Sequence, residues 1–164
     1  MVEVLSHPQI ENKIKRIAYQ IFEAFLDQGE LVVAGINGNG YELAQKLNEQ
    51  LQAISPLKTT LVEIKLDKTQ PRAATTSLNV DSADVHGKPV LIVDDVLNTG
   101  RTMVYAVSAF IREECALIKT AVLADRNHKN FPIAADFVGI SMATTLQEHL
   151  QFSLENGKMS LELQ

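Results

Sequence analysis

The stretch Val90-Leu91-Ile92-Val93-Asp94-Asp95-Val96-Leu97-Asn98-Thr99-Gly100-Arg101-Thr102 constrains the fold more than any other part of the chain. Four consecutive apolar residues ending at Val93 predict a strand buried on both faces, and such a strand belongs to a sheet covered on both sides by helices. A covering helix follows at once: Gly100 makes a turn, and the residues from Thr102 to Glu114 read as a helix. Asp94 and Asp95 are thereby placed at the carboxyl end of a buried strand. Ligands of open α/β sheets bind at that edge, where the amides opening the next helix form an anion site reinforced by its dipole.

The rest of the chain repeats the alternation. Ser6 is placed to cap a helix whose apolar residues Ile10, Ile14, Ile17, Ala18, Ile21, Phe22 and Phe25 recur at helical spacing, and Gly29 ends it. Leu31 to Ile36 predicts a buried strand, Tyr41 to Leu51 a helix, and Leu61 to Leu66 a strand with partial alternation. From Asp67 to Gly87 polar and small residues dominate, including Pro71 and Ala73-Ala74-Thr75-Thr76-Ser77. That composition predicts a mobile loop with little to anchor it in a core. Thr120 to Ala124 and Phe137 to Ile140 continue the strands, and Leu150 to Leu154 with Met159 to Leu163 predicts a hairpin around Asn156-Gly157. A length of 164 residues with 46% hydrophobic content fits one domain, residues 1–164, with enough apolar mass for a core.

Two strand-to-helix loops carry the chemistry. Asn98, Thr99, Gly100, Arg101 and Thr102 offer hydroxyls, a side-chain amide, a cation and main-chain N–H groups, with Gly100 allowing close backbone approach, which suits a phosphate. Asp94 and Asp95 are acceptors when ionised, so their partners are donors such as ribose hydroxyls, or a hard cation such as Mg2+ held through its waters. An acid pair beside a phosphate cradle points to a phosphorylated ribose. The second loop, Ile36-Asn37-Gly38-Asn39-Gly40, again lies between a buried strand and a helix, and its glycines permit an anion to approach the amides.

The segment Val90 to Thr102 resembles the phosphoribosyl pyrophosphate (PRPP) signature of the type I phosphoribosyltransferases: two acids after a hydrophobic strand, then a Thr-Gly loop. Further similarity, through Ile14 to Ala18, Val33 to Ile36, Gly40 to Ala44, Ala121 to Arg126 and Ala135 to Gly139, is to the PyrR-type branch, which joins uracil phosphoribosyltransferase activity to RNA-binding control of pyrimidine operons. The resemblance implies the type I phosphoribosyltransferase fold: a central, mostly parallel sheet flanked by helices, with a flexible loop and a small C-terminal hood or hairpin. It implies transfer of ribose 5-phosphate from PRPP to a nucleobase, uracil before others, with release of pyrophosphate. Asp94 and Asp95 would be the catalytic acids and hold Mg2+ through water. Asn98 to Thr102 would bind the 5'-phosphate, Asn37, Gly38, Asn39 and Gly40 the pyrophosphate, and Asp125 and Arg126 the base edge. A homodimer is also implied, while the single cysteine and the character of the N-terminal residues predict a cytoplasmic protein.

The chain departs from this pattern in two places. Members of the family carry Arg or Lys in the pyrophosphate loop, whereas Asn37-Gly38-Asn39 has no cation; Lys65, Lys68 and Arg72 are close enough in sequence to compensate if the following loop closes. Ala134 and Ile140 stand where PyrR-type regulators show basic residues, although Lys15, Arg16, Arg126 and Lys129 persist. RNA binding is therefore doubtful, and a PRPP- or nucleotide-binding regulator with weak or no catalysis is the alternative. A net charge of −5 also argues against a general nucleic-acid binder. Cys115 alone excludes an internal disulfide and a multi-Cys zinc site, the N-terminal residues lack signal-peptide character, and charges interrupt every apolar run before it could span a bilayer. Gly38-Asn39-Gly40 with Glu63 approaches a dinucleotide fingerprint, and the acid pair approaches that of a receiver domain. The first leaves Asp94 to Thr102 without a role, and the second has too little chain after the acids.

Overall fold

The computed structural model describes residues 1–164. Strand β1 (Val2–Leu5) leads to helix α1 (His7–Ala24), then β2 (Glu30–Ile36), α2 (Asn39–Ile54), β3 (Lys58–Lys65), the short β4 (Ser77–Leu78), β5 (Pro89–Leu97), α3 (Arg101–Arg112), β6 (Leu117–Asp125), β7 (Phe137–Ser141), and the hairpin β8 (Leu150–Glu155) and β9 (Lys158–Leu163). Six strands form the main sheet in the order β4-β3-β2-β5-β6-β7, parallel throughout except where β4 runs antiparallel to β3. The strand order reverses between β2 and β5, and a crevice opens at such a switch point beyond the strands' carboxyl ends. The mostly parallel, helix-covered sheet expected from Val90 to Val93 is present.

Helices α1 and α2 pack on one face with the core residues Ile14, Ile21, Leu43, Leu47 and Leu91, while α3 covers the other with Met103, Ala106 and Phe110 against Val32, Ile92 and Val122. Ser6 starts α1 as expected: its N–H donates to Gln9 Oε1 at 2.8 Å, and Pro8 fits the first turn, where no N–H is needed. The helix ends at Ala24 rather than at Gly29, which instead takes a left-handed φ of +75° in the turn into β2. Gly35 lets α2 press onto β2. A Cβ there would lie 2.5 Å from Tyr41 Cα and 2.7 Å from Ala44 Cβ, so the helix packs at a distance that only glycine permits.

Two further expectations are corrected. Asp94 and Asp95 do not end their strand: β5 runs to Leu97 because β6 goes on pairing with it, Val96 opposite Ala124 and Leu97 opposite Asp125. Only the pairing to β2 stops, at Gly35 opposite Val93, so the acids still look into the crevice. The segment 67–87 is more anchored than its composition implies. Pro71, Thr76 and Val85 are buried, β4 pairs with β3, and Thr76 Oγ1 donates to Arg72 O at 2.7 Å, while most of the other residues of the segment, including Asp67 to Gln70, Arg72 to Thr75 and Asp81 to Asp84, are exposed. The C-terminal hairpin forms as expected, and a further strand joins it. Val2 to Leu5, not expected as a strand, pairs with β9 and completes a three-stranded sheet β1-β9-β8 over the crevice.

Candidate active site

The crevice is a cleft of about 320 Å³, floored by Asp94, Asp95 and Val96, flanked by Asn39, Lys68 and Thr102, and roofed by Leu150 to Phe152 of β8. Two of the expected binding loops therefore meet the acid pair in one place. Asp94 is buried and Asp95 half-buried, and each carboxylate accepts the next residue's N–H: Asp95 N to Asp94 Oδ1 at 2.9 Å, Val96 N to Asp95 Oδ1 at 2.8 Å. These bonds fix both side chains relative to the strand. Burial first, and then the adjacent Asp95 carboxylate, hold the Asp94 pKa well above the ordinary carboxylate range, against the pull of Lys68, whose Nζ lies 3.6 Å from Asp94 Oδ1.

The sign of that shift gives a prediction. A carboxyl whose folded pKa is raised binds its proton more tightly in the native state, so its contribution is fully favourable below the unfolded value of about 3.9 and is lost as pH rises through the folded value. Asp94→Asn is therefore expected to melt at a higher temperature than the parent at pH 8, with the difference shrinking toward pH 4. Melting curves across this range would show a pH-independent or reversed difference if the carboxyl is not the cause.

Beyond Leu97 the chain turns through Asn98 and Thr99 to Gly100, whose φ of +88° lies in the left-handed region and opens α3. A small hollow of about 40 Å³ is lined by Asp94 and the run Val96 to Met103, so the five residues expected to cradle a phosphate share one concavity. The loop is braced from behind. Asn130 N and Phe131 N donate to Thr99 O at 2.8 and 3.1 Å, and a Cβ on Gly100 would lie 2.5 Å from Ile133 Cγ2.

The second loop is arranged differently from the expectation. Gly40 lies directly against the acid pair: a Cβ there would meet Asp94 Oδ1 at 2.8 Å and Val93 O at 3.1 Å. Asn39 Nδ2 donates to Phe152 O at 2.9 Å and to Asp95 Oδ2 at 3.4 Å, tying the start of α2 to the roof and to the acids. Asn37 points elsewhere. Its Oδ1 accepts from Leu66 N at 3.2 Å, and its own N–H donates to Ile64 O at 2.9 Å, so it closes off the end of β3.

Asp125 and Arg126, expected at the base edge, are engaged with the protein. Arg126 is buried; Nε donates to Thr144 Oγ1 at 2.9 Å, Nη1 to Asn98 Oδ1 at 3.2 Å and Nη2 to Thr145 O at 3.0 Å, fastening the cradle to the chain after β7. Asp125 pairs with Lys129 and accepts from Asn127 N. Neither residue lines the cleft, whereas Leu150, Gln151 and Phe152 do. The alternation of Leu150, Phe152 and Leu154 shows in sequence that this strand has a buried face, but nothing local says what it covers. Three of the four cations considered for RNA are also engaged: Arg16 donates to Val138 O at 2.8 Å and Gly139 O at 2.9 Å, and Arg126 and Lys129 act as above, leaving Lys15 exposed. No helix is long and apolar enough to cross a membrane.

The chain matches the family model of the phosphoribosyl transferase domain over residues 2–155. It is 34% identical over 166 aligned residues, covering 97% of this chain and 94% of the relative, to a pyrimidine operon regulatory protein of Lactococcus lactis subsp. lactis (strain IL1403). To the bifunctional protein PyrR of Streptococcus pneumoniae (strain CGSP14) it is 33% identical over 153 residues, 90% of this chain and 87% of that one. Among solved structures, the hypoxanthine phosphoribosyltransferase of Trypanosoma cruzi shares the fold with a TM-score of 0.75 at 18% identity, covering 98% of this chain and 95% of that one. A hypoxanthine-guanine phosphoribosyltransferase from Bacillus anthracis does so with a TM-score of 0.69 at 20% identity, covering 87% and 82%.

Proposed function

Since the chain belongs to the phosphoribosyl transferase domain family, we propose that it transfers ribose 5-phosphate from PRPP to a nucleobase, uracil before others, with release of pyrophosphate. The observation that carries this reading is the meeting, on one strand and its following turn, of the Asp94–Asp95 pair with the Asn98 to Thr102 hollow, at the switch point where Gly40 brings α2 against the acids. A phosphate seated in the hollow, on the main-chain N–H groups of a helix start, places its ribose toward the two carboxylates. These accept from the ribose hydroxyls and fix the sugar's orientation.

Two acids beside an open cleft also suit Mg2+, which keeps several waters and takes one or two carboxylates together with substrate phosphates. When bound there, Mg2+ would neutralise phosphate charge. In the transfer, the C1'–O bond to pyrophosphate breaks and its electron pair leaves with that oxygen. A lone pair on the base nitrogen forms the new C1'–N bond, and the nitrogen's proton passes to water. The transition state is oxocarbenium-like, so the protein works by positioning and electrostatics rather than through a covalent nucleophile. The β8 roof, Leu150 to Phe152, is where a base would be sheltered from solvent. One domain over residues 1–164, acting in the cytoplasm as a homodimer, completes the reading.

A second reading has its own support. The pyrophosphate loop lacks a cation, and relatives include a pyrimidine operon regulatory protein, so a PRPP- or nucleotide-sensing regulator is the alternative. The engaged state of Arg16, Arg126 and Lys129 favours ligand sensing over RNA binding within it. Turnover separates the two. Incubation with PRPP, Mg2+ and a panel of nucleobases is expected to release pyrophosphate with uracil; no release with any base, from protein shown to bind PRPP, would leave the regulator.

A further inference from the structure

Pyrophosphate departs with several negative charges, yet the loop placed to receive it, Asn37 to Gly40, has no cationic side chain. In the folded chain a cation stands at the mouth of that loop. Lys68 Nζ lies 3.6 Å from Asp94 Oδ1, and this oxygen is itself 2.8 Å from where a Cβ on Gly40 would be, so the ammonium sits beside the first turn of α2. No other Lys or Arg lines the cleft.

Local structure holds Lys68 there. Asn37 Oδ1 accepts from Leu66 N at 3.2 Å, so the loop without a cation is hydrogen-bonded to the segment that carries one. Immediately afterwards Asp67 Oδ1 accepts from Thr69 N at 2.9 Å and Thr69 Oγ1 at 2.7 Å, a turn that presents Lys68 between buried Leu66 and buried Pro71. The neighbouring Lys65 is turned away, with Nζ 3.9 Å from Glu63 Oε1. Arg101 lines the adjoining hollow beyond β5 and not the cleft itself.

We propose that Lys68 supplies the pyrophosphate-binding cation of this protein, delivered from the segment after β3 to a loop that has none; the assignment rests on the phosphoribosyltransferase reading. In the free protein the ammonium is the counter-charge of Asp94. With PRPP in the cleft it faces the pyrophosphate, and as the C1'–O electron pair moves onto the leaving oxygen the fixed positive charge opposes the charge that develops there. Lys68 gains and loses no proton in this step.

The test uses the full chain with Lys68→Met, Lys68→Arg and, as a control, Lys65→Met. Calorimetric titration with inorganic pyrophosphate plus Mg2+, and separately with ribose 5-phosphate, is paired with rates of pyrophosphate release. Lys68→Met is expected to weaken pyrophosphate binding and lower kcat/KM for PRPP, each about 100-fold, with ribose 5-phosphate affinity unchanged. Lys68→Arg restores most of both, and Lys65→Met behaves like the parent. Unchanged pyrophosphate affinity in Lys68→Met overturns the assignment, and so does an equal loss of both ligands, which would mark Lys68 as merely structural. A parent that never turns over, but whose pyrophosphate binding depends on Lys68, overturns the enzyme reading and leaves the cation in place.

Discussion

Replacing both acids, Asp94→Asn with Asp95→Asn, is expected to reduce pyrophosphate release to background, a fall of about 1,000-fold or more, given that one misplaced donor at a developing charge already costs 100-fold or more. Two interactions disappear together: the ionised acceptors for the ribose and the oxygen pair suited to Mg2+. The fold is expected to survive. Each Asn retains a carbonyl oxygen for the N–H that the carboxylate now accepts, from Asp95 N and Val96 N respectively, and the buried Asp94 charge is removed. The informative result is therefore an inactive protein that melts no lower than its parent at pH 8. Residual release within tenfold of the parent would mean that the acids are not the ribose-holding pair, and the site would have to be sought elsewhere.

Gly100→Ala is expected to lose both stability and phosphate binding. At a φ of +88° any side chain costs about 1–2 kcal/mol. The new methyl would also lie 2.5 Å from Ile133 Cγ2. Overpacking of this kind adds about 1–3 kcal/mol, so a combined loss of about 2–5 kcal/mol follows. Relief of Ile133 pushes on the 126–133 segment, which also braces Thr99 O through Asn130 and Phe131. The hollow would widen and ribose 5-phosphate affinity would fall with it. Gly157→Ala supplies the comparison, since its φ of +78° imposes the backbone cost while nothing lies within 4 Å of its Cβ position. Denaturant titration should then separate the two variants by the packing cost alone. Equal losses would show that Ile133 yields freely and that the brace does not shape the hollow.

What could be read before the structure was what short-range pattern encodes. The run Val90 to Val93, followed by two acids and a Gly turn, contains its own strand, edge and helix start, and the residues from Asn98 to Thr102 share one hollow. The helices α1 and α2 were announced by apolar spacing, with errors only at their ends, where fraying and turns compete. The exit of β5 was misjudged because a strand's length depends on its neighbour, and β6 continues past the point where β2 stops. The family resemblance points Arg126 at the base, and sequence does not reveal that Thr144, Asn98 and Thr145 surround it. Lys68 shows the converse. Its candidacy came from a missing charge in another loop, and its selection over Lys65 required the turn at Asp67 and the position of Glu63.

The pairing of β1 with β9, Leu5 opposite Leu161, also orders events during synthesis. A contact spanning nearly the whole chain forms late, since its loop-closure entropy must be met before it gives anything in return. The acids and the turn to Gly100 have all been made once the chain reaches Met103, whereas the roof over them waits for β8 and β9. On the ribosome, the acid-bearing strand and its turn are therefore made well before the roof that completes the cleft, and the unfinished chain keeps an open crevice until its last strands pair.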